Sequence, residues 1–399
     1  MAPSILIIGT HLKSADAAYR RISYIKLFFE RNKFVADCIG PIKIEYGNVS
    51  RPSSICKPGF VAFETYNLLF QIINIFLAFI PMITYIMLRK PNVLIISVPD
   101  PYLVLPAYIA SRIYKSKVII DIRDPAEDYL IKISKSHLAK ILAKILKTIN
   151  YSIYKHVDAI VGVTNTLCYN IENEVKKKCF VIPNGADLTL FHKKTDTNLR
   201  RKLGLNDNHI VLVFIGNIYS NSYYNVLNIL NILLKINGFI QNKFILLIMG
   251  KVENSLRPVL SIYEKMGIAK YLGTMDAGQL AYLLQIADIG IIPRVNDPFF
   301  DYAIPTKFYE YIASGLPVLA LCRKESELAK VITYNSLGIV CEPNDIECIK
   351  ESLIQLINNK DKIYKIKEFL KSYKYKIDRK ISGIIYLKLV NSLLRQHNE

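Results

Sequence analysis

Two series of short aliphatic runs constrain this chain more than any other feature. The first reads SILII from Ser4, VLIIS from Val93, KVIID from Lys117, DAIVGV from Asp158 and CFVIP from Cys179. Each has the length and the Val, Ile and Leu content of a strand buried on both faces, and longer helical stretches separate them. After a polar stretch at residues 191–208 the pattern restarts with IVLVFIG from Ile210, KFILLIMG from Lys243, ADIGIIP from Ala287, PVLAL from Pro317 and GIVC from Gly338. The alternation predicts α/β structure, with helices wound around parallel sheets. Because 399 residues exceed what one hydrophobic core usually holds, two doubly wound, Rossmann-like domains are expected rather than one large sheet. The expected limits are 1–190 for the first domain and 191–375 for the second, with a lysine-rich helix at 376–399 packing back on the first. Sheets of this kind bind ligands beyond the carboxyl ends of their strands, so chemistry is expected in a central cleft where the two domains face each other.

Lys and Arg outnumber Asp and Glu by 52 to 33, an excess that suits nucleic acid, anionic lipid or a phosphorylated substrate. No recognition-helix motif and no aromatic-rich RNA-binding strand accompanies the charge, so nucleic acid is not the expected partner. Seven cysteines, at 38, 56, 168, 179, 322, 341 and 348, are odd in number and form no C-x-x-C pair. That spacing argues against a disulfide framework or a zinc site, and reduced buried thiols are expected. No His or acidic cluster has metal-ligand spacing, so neither a metal nor another cofactor is expected. The first strand begins by Ser4 without a basic and apolar leader, which predicts a cytoplasmic location.

Residues 66–88, YNLLFQIINIFLAFIPMITYIML, carry no charge and are long enough to cross a bilayer. Asn67, Gln71 and Asn74 fall on one face of a helix, Pro81 interrupts the run, and a strand follows almost at once. These features predict a helix lying in the membrane interface, or a shallow hairpin; a buried core helix is the other reading. A second stretch, SHLAKILAKILKTINYSIYKH from Ser136, sets Lys140, Lys144 and Lys147 at helical spacing, with Leu142, Ile145 and Ile149 on another face. It reads as a basic amphipathic helix suited to an anionic membrane surface, or as an ordinary solvated helix. Peripheral attachment at the cytoplasmic face of a membrane is the expectation.

The chemistry concentrates in PTKFYEYIASGLPV, residues 305–318. Pro305 stands where a loop turns into a helix over 306–314, and the free N–H groups of that helix start, with Thr306 and the charge of Lys307, form an anion site. Glu310, one turn on, can accept hydrogen bonds from two neighbouring hydroxyls, as on a ribose. Gly315 ends the helix and Pro317 leads into the next strand. Phosphate at the helix start with ribose beside it describes a nucleoside diphosphate. Taken singly, each of these residues also caps or ends an ordinary surface helix.

The spacing P-x-K-x-x-E-Y-x-A-x-G-x-P-V resembles the donor-binding motif of family 4 retaining glycosyltransferases, which have the GT-B fold of two facing Rossmann-like domains. Residues 181–191, VIPNGADLTLF, are similar to that family's V-I-P-N-G-x-D segment, with Asn184 and Gly185 shaping a turn and Asp187 capping it. Gly216 matches the glycine that opens the donor loop, Gly9 and Thr10 match the acceptor-side loop, and MGK at 249–251 and residues 279–288 match further family turns and strands. The resemblance spans roughly residues 1–370 and is strongest after Val181. It implies that Glu310 binds the donor ribose and that a sugar passes, with retention, from a nucleoside diphosphate sugar to a glycan. A lipid-linked glycan is the expected acceptor, in cell-surface polysaccharide or protein N-glycan assembly.

Departures from the family pattern are specific. Where members carry an Arg and a Lys that grip the diphosphate, this chain has Asn217, Ser222 and Tyr223. Lys307 is the expected substitute cation, with Arg294 and Arg323 behind it. Tyr302 occupies the place of the acid that contacts the transferred sugar, which shifts that role to Asp301. In DIRDPAEDY, Arg123 replaces a His near the transferred sugar and Asp124 follows; the pair either serves catalysis, Arg123 holding a phosphate or an acceptor oxygen while Asp124 orients a hydroxyl, or is a loop salt bridge. The missing cations keep two other readings open, a catalytically inactive scaffold of a glycan assembly complex and a GT-B nucleotide-sugar epimerase.

Overall fold

The computed structural model describes every residue except 1, 11–16, 46–47, 53, 64–66, 99, 192–197, 207, 221–223, 241–242 and 396–399. The chain forms two compact units, Met1–Asn184 with Ser382–Glu399, and Gly185–Ile381. In the first unit the elements run β1 (Ser4–Ile8), α1 (Ala17–Arg31), β2 (Val35–Glu45), β3 (Asn48–Ser50), β4 (Lys57–Phe63) and α2 (Leu68–Arg89). They continue with β5 (Val93–Val98), α3 (Val104–Ile113), β6 (Lys117–Ile122), α4 (Ala126–Ile133), α5 (His137–His156), β7 (Ala159–Gly162), α6 (Asn165–Val175) and β8 (Cys179–Val181). The sheet order is β3-β2-β1-β5-β6-β7-β8, with β4 also on β2, and only the β2–β3 pairing is antiparallel among the described residues.

The second unit contains α7 (Leu199–Lys202), β9 (Ile210–Ile215), α8 (Val226–Ile236), β10 (Phe244–Met249), α9 (Arg257–Lys265), β11 (Ala269–Gly273) and α10 (Ala277–Leu284). Then come β12 (Ile289–Pro293), α11 (Thr306–Ala313), β13 (Val318–Leu321), α12 (Glu327–Tyr334), β14 (Gly338–Cys341), α13 (Ile346–Asn358) and α14 (Lys360–Tyr373). Its parallel order, β11-β10-β9-β12-β13-β14, is that of the Rossmann fold and reverses between β9 and β12. The aliphatic runs form these strands because both faces are covered by helices: Leu212, Phe214, Leu246 and Ile248 pack into one core, and Val211, Val213, Leu247 and Ile292 into another.

Helix α15 (Arg379–Arg395) closes the chain, and Tyr386, Leu389, Val390 and Leu393 pack into the first unit's core beside Phe29 and Ile95. The division falls at Gly185 and Ser382, not at 191 and 376, because the chain pairs with itself there. The Ala186 N–H donates to Ile377 O at 2.9 Å and the Arg379 N–H to Ala186 O at 2.8 Å, tying residues 185–186 to the second unit. At Gly185, φ is +62° and a Cβ would lie 2.9 Å from the Arg379 backbone, so only glycine fits this turn.

Two expectations are overturned. Six of the seven cysteines are paired, Cys38–Cys56, Cys168–Cys179 and Cys341–Cys348, with Cα separations of 4.5, 5.2 and 5.9 Å. Sheet register produces the first pair: β2 runs beside β4 with Ile39 opposite Lys57, which sets the preceding cysteines side by side. Spacing along the chain carries no trace of that adjacency. Cys322 remains a free, buried thiol, pushed up to about 11, chiefly by burial. Pro81, expected to interrupt its segment, lies inside an unbroken α2, held by the buried Ala78, Met82 and Ile86 on either side of it.

Tyr311 fixes α11 against the sheet. Its hydroxyl accepts from Ile215 N at 3.0 Å and donates to Val213 O at 3.2 Å, while its ring fills the space above Gly290. A Cβ at Gly290 would fall 2.3 Å from that ring. Gly290→Ala is expected to cost about 1–3 kcal/mol by overpacking, read as a lower denaturant midpoint with an unchanged m-value. An unchanged midpoint would mean that α11 is not seated on Gly290.

Candidate active site

Strand order in the second unit reverses between β9 and β12, so the carboxyl ends of these strands flank the crevice in which such sheets bind ligands. Gly216 leaves β9 at φ +145°, its N–H donating to Met249 O at 2.8 Å, and Gly250 leaves β10 at φ +135°. A Cβ on Gly250 would lie 2.2 Å from Gly216 O, and one on Gly216 would lie 2.6 Å from Lys307 Nζ. Both glycines are therefore required for backbone to meet backbone and for the lysine to reach the strand end. The Asn217 side-chain oxygen accepts from Lys251 N at 3.0 Å, so it braces the loop at the place where an arginine was expected. Ser222 and Tyr223 lie outside the described residues.

Helix α11 begins at Pro305, which is its N-cap and supplies no capping side chain. The Thr306 and Lys307 N–H groups have no partner within the helix and carry the positive end of its dipole, while the Phe308 N–H donates to Pro305 O at 3.0 Å. Lys307 follows and is 5% exposed. Its Nζ has no hydrogen-bond partner and lies 3.3 Å from the ring centre of Tyr224 and 4.2 Å from that of Phe214. Aromatic faces hold a cation only weakly compared with a phosphate, so this amine is desolvated and unpaired. Burial first, and then the charge of Arg294, push it well below the usual lysine range, while Glu310 acts in the opposite sense. Glu310 is buried one turn further along α11.

Arg294 is also buried, and its side chain donates to Phe300 O just after β12. Gly216, Lys307, Glu310 and Arg294 are thus gathered at one strand-end crevice. The turn Pro298–Tyr302 carries Asp301, which pairs with Arg323 at 2.9 Å. Burial raises the Asp301 carboxyl and the Arg323 guanidinium works against it. Arg323, expected as a reserve cation for phosphate, is occupied by Asp301 and by Glu325 at 3.4 Å. The Phe214 and Tyr224 platform is a feature that sequence reasoning missed. Its one signal is a pair of aromatics on either side of the loop that begins at Gly216.

The first unit presents its own strand ends. Gly9 follows β1, where a Cβ would lie 2.4 Å from Ile22 Cδ1, and Thr10 is buried with no partner for its hydroxyl. Asp121, on β6, is clamped by Arg21 of α1 through Nε to Oδ2 at 3.0 Å and Nη2 to Oδ1 at 2.8 Å. Burial alone would raise this carboxyl, but Arg21 outweighs it and holds the group below its ordinary value. Arg21 also donates to Pro183 O and to the Asn184 side chain, each at 3.2 Å. Two residues after Asp121, Arg123 is 8% exposed, and its Nε and Nη2 have no hydrogen-bond partner. Asp124 is exposed beside it. Elsewhere, the Asp187 carboxylate accepts from Thr189 N at 3.1 Å, so it caps the turn Leu188–Phe191 that follows it and not the turn at Asn184 and Gly185.

Residues 195–375 match the family model described as glycosyl transferases group 1, so the second unit carries a domain of that kind. Two curated relatives are matched over only 19% and 35% of their own lengths. The longer match is D-inositol 3-phosphate glycosyltransferase of Actinosynnema mirum, 29% identical over 153 residues, or 36% of this chain. Among solved structures, sucrose-phosphate synthase from Thermosynechococcus elongatus superposes with a TM-score of 0.71 at 14% identity, covering 99% of this chain and 100% of that one. HepE of Anabaena, solved with UDP and glucose, gives a TM-score of 0.65 at 13% identity, covering 98% and 100%. At such identities the likeness shows the fold alone, GT-B.

Proposed function

We propose that this protein is a glycosyltransferase that moves a sugar from a nucleoside diphosphate sugar to a glycan acceptor, with a lipid-linked glycan of cell-surface polysaccharide or N-glycan assembly as the acceptor class. One observation carries the reading: a buried, unpartnered Lys307 Nζ at the start of α11, beside Gly216 and one turn from Glu310. A buried cation without a counter-ion is costly unless a ligand supplies one, and a diphosphate does so. The glycosyl transferases group 1 match over 195–375, and a neighbour of the same fold solved with UDP and glucose, support a nucleotide sugar as that ligand.

In this mechanism the departing diphosphate is stabilised by Lys307 and by the Thr306 and Lys307 N–H groups at the start of α11. Glu310 accepts from the ribose hydroxyls and orients the donor. Asp301, kept in place by Arg323, is assigned to the transferred sugar. Arg123 is assigned to an acceptor oxygen or phosphate, since its two free donors are buried at a strand end, and Asp124 to orienting the acceptor hydroxyl. Retention at the anomeric carbon is the stereochemistry implied by the motif of residues 305–318, and proton NMR of the first-formed product tests it. The proposal includes reaction at the cytoplasmic face of a membrane.

The test is a panel of nucleotide sugars incubated with the purified chain, with and without a lipid extract. Acceptor-dependent release of nucleoside diphosphate is the expected result. Conversion of the sugar with donor alone would identify an epimerase, and no turnover with any donor would favour the scaffold reading that the braced Asn217 leaves open.

A further inference from the structure

Helix α2 turns its polar side inward. Gln71 and Asn74 are buried against the protein with Leu68, Ala78, Met82 and Ile86, and the Asn74 amide bonds Phe63 N at 2.8 Å and Phe63 O at 2.9 Å. The outer side carries Leu69, Phe76, Ile80 and Leu88, of which Phe76 and Ile80 are each 73% exposed. A surface helix of a soluble domain carries polar residues on its outer side, whereas α2 is apolar there as well as at most of its buried positions. Helix α5 adds a second apolar row, Leu138, Ile141, Ile145 and Ile149, all exposed. The two helices share a small core of Leu68, Ala143 and Leu146, with Ile72, Ile75 and Leu142 at its margin, so they pack against each other in the first unit.

Charge selects the occupant of that surface. Lys140 and Lys144 are exposed next to the apolar row of α5, where long side chains can lift their ammonium groups to lipid headgroups. Lys147, expected to face the same way, pairs instead with Asp128 and Glu174 at 2.7 Å each. A second copy of this chain would set lysine rows against each other, whereas an anionic bilayer complements both the rows and the excess of 52 basic over 33 acidic residues. Helix α2 is long and apolar enough to cross a bilayer, but Asn74 binds β4 and its inner side is covered by the protein. We infer that α2 and α5 together form a membrane-docking surface that lies in the plane of an anionic bilayer, with the outer side of α2 inserted and Lys140 and Lys144 at the headgroups.

The test is co-sedimentation of the full chain with vesicles of phosphatidylcholine alone and of phosphatidylcholine with phosphatidylglycerol at a ratio of about 3 to 1, the anionic fraction giving a surface that attracts basic segments. Binding to the anionic vesicles, weakened by salt, is expected. K140E with K144E should weaken it by about 30-fold or more, and F76E with I80E by at least about tenfold. These positions are exposed, so the melting curve should not move, and nucleoside diphosphate binding should persist in both variants, which separates docking from the transferase reading. Wild-type protein remaining in the supernatant would overturn the inference. So would F76E/I80E protein that sediments like wild type, or a dimer in solution that these substitutions dissolve without any vesicle binding.

Discussion

Lys307→Met is expected to weaken nucleoside diphosphate binding by roughly 10- to 100-fold, as loss of a charge-assisted hydrogen bond of about 1.5–3 kcal/mol implies. Stability should not fall with it. The wild-type amine is buried on the Phe214 and Tyr224 rings without a hydrogen-bond partner, and removing an uncompensated charge from such a place relieves desolvation. Methionine keeps most of the volume, so the denaturant midpoint should stay level or rise. A variant that binds normally but unfolds more easily would make Lys307 a packing residue and nothing more.

The same lysine sets a pH dependence. Burial and Arg294 lower its ordinary value in the free protein, and a bound diphosphate raises it again. Binding therefore takes up a proton between the lowered value and the ordinary lysine range, and affinity should fall as pH rises through that window. Without donor the sign reverses: the unfolded chain holds more protons there, so stability rises with pH. Calorimetry in buffers of different ionisation enthalpy reads the proton directly, and the Met variant should show no uptake.

Glu310→Gln is the second large effect. The substitution keeps shape and removes the carboxylate that accepts from neighbouring hydroxyls, so nucleoside diphosphate affinity should drop by roughly 10- to 100-fold. Inorganic pyrophosphate, which lacks the ribose, should bind both proteins alike. Deoxyribose analogues give the sharper check: wild type should discriminate against them and the variant should not, since the two changes remove one shared interaction. Equal discrimination by both proteins would take the ribose contact away from Glu310.

How much of this was legible in the sequence depends on distance along the chain. The strand runs were plain because continuous Val, Ile and Leu content is what burial between two helical layers requires. The placement of Lys307 and Glu310 along one side of a helix was also plain, since three residues on one helix fix their relation. Phe214 and Tyr224 were not, because a loop of unspecified path separates them and only the folded chain brings both rings to one amine. Arg21 and Asp121 are 100 positions apart and meet across the first unit's strand ends. The cysteine pairs depend on strand register and on helix returns, which composition does not encode. Lys147 shows a subtler limit: helical spacing grouped it with Lys140 and Lys144, but two carboxylates from neighbouring helices claim it.

The central claim is that the crevice at Gly216, Lys307 and Glu310 is a nucleoside diphosphate site. Titration of the purified chain with UDP, GDP, ADP and CDP tests it most directly. One diphosphate should bind at a single site with proton uptake, and the affinity should collapse in Lys307→Met. Binding of none of them, or equal binding by wild type and the Met variant, would contradict it.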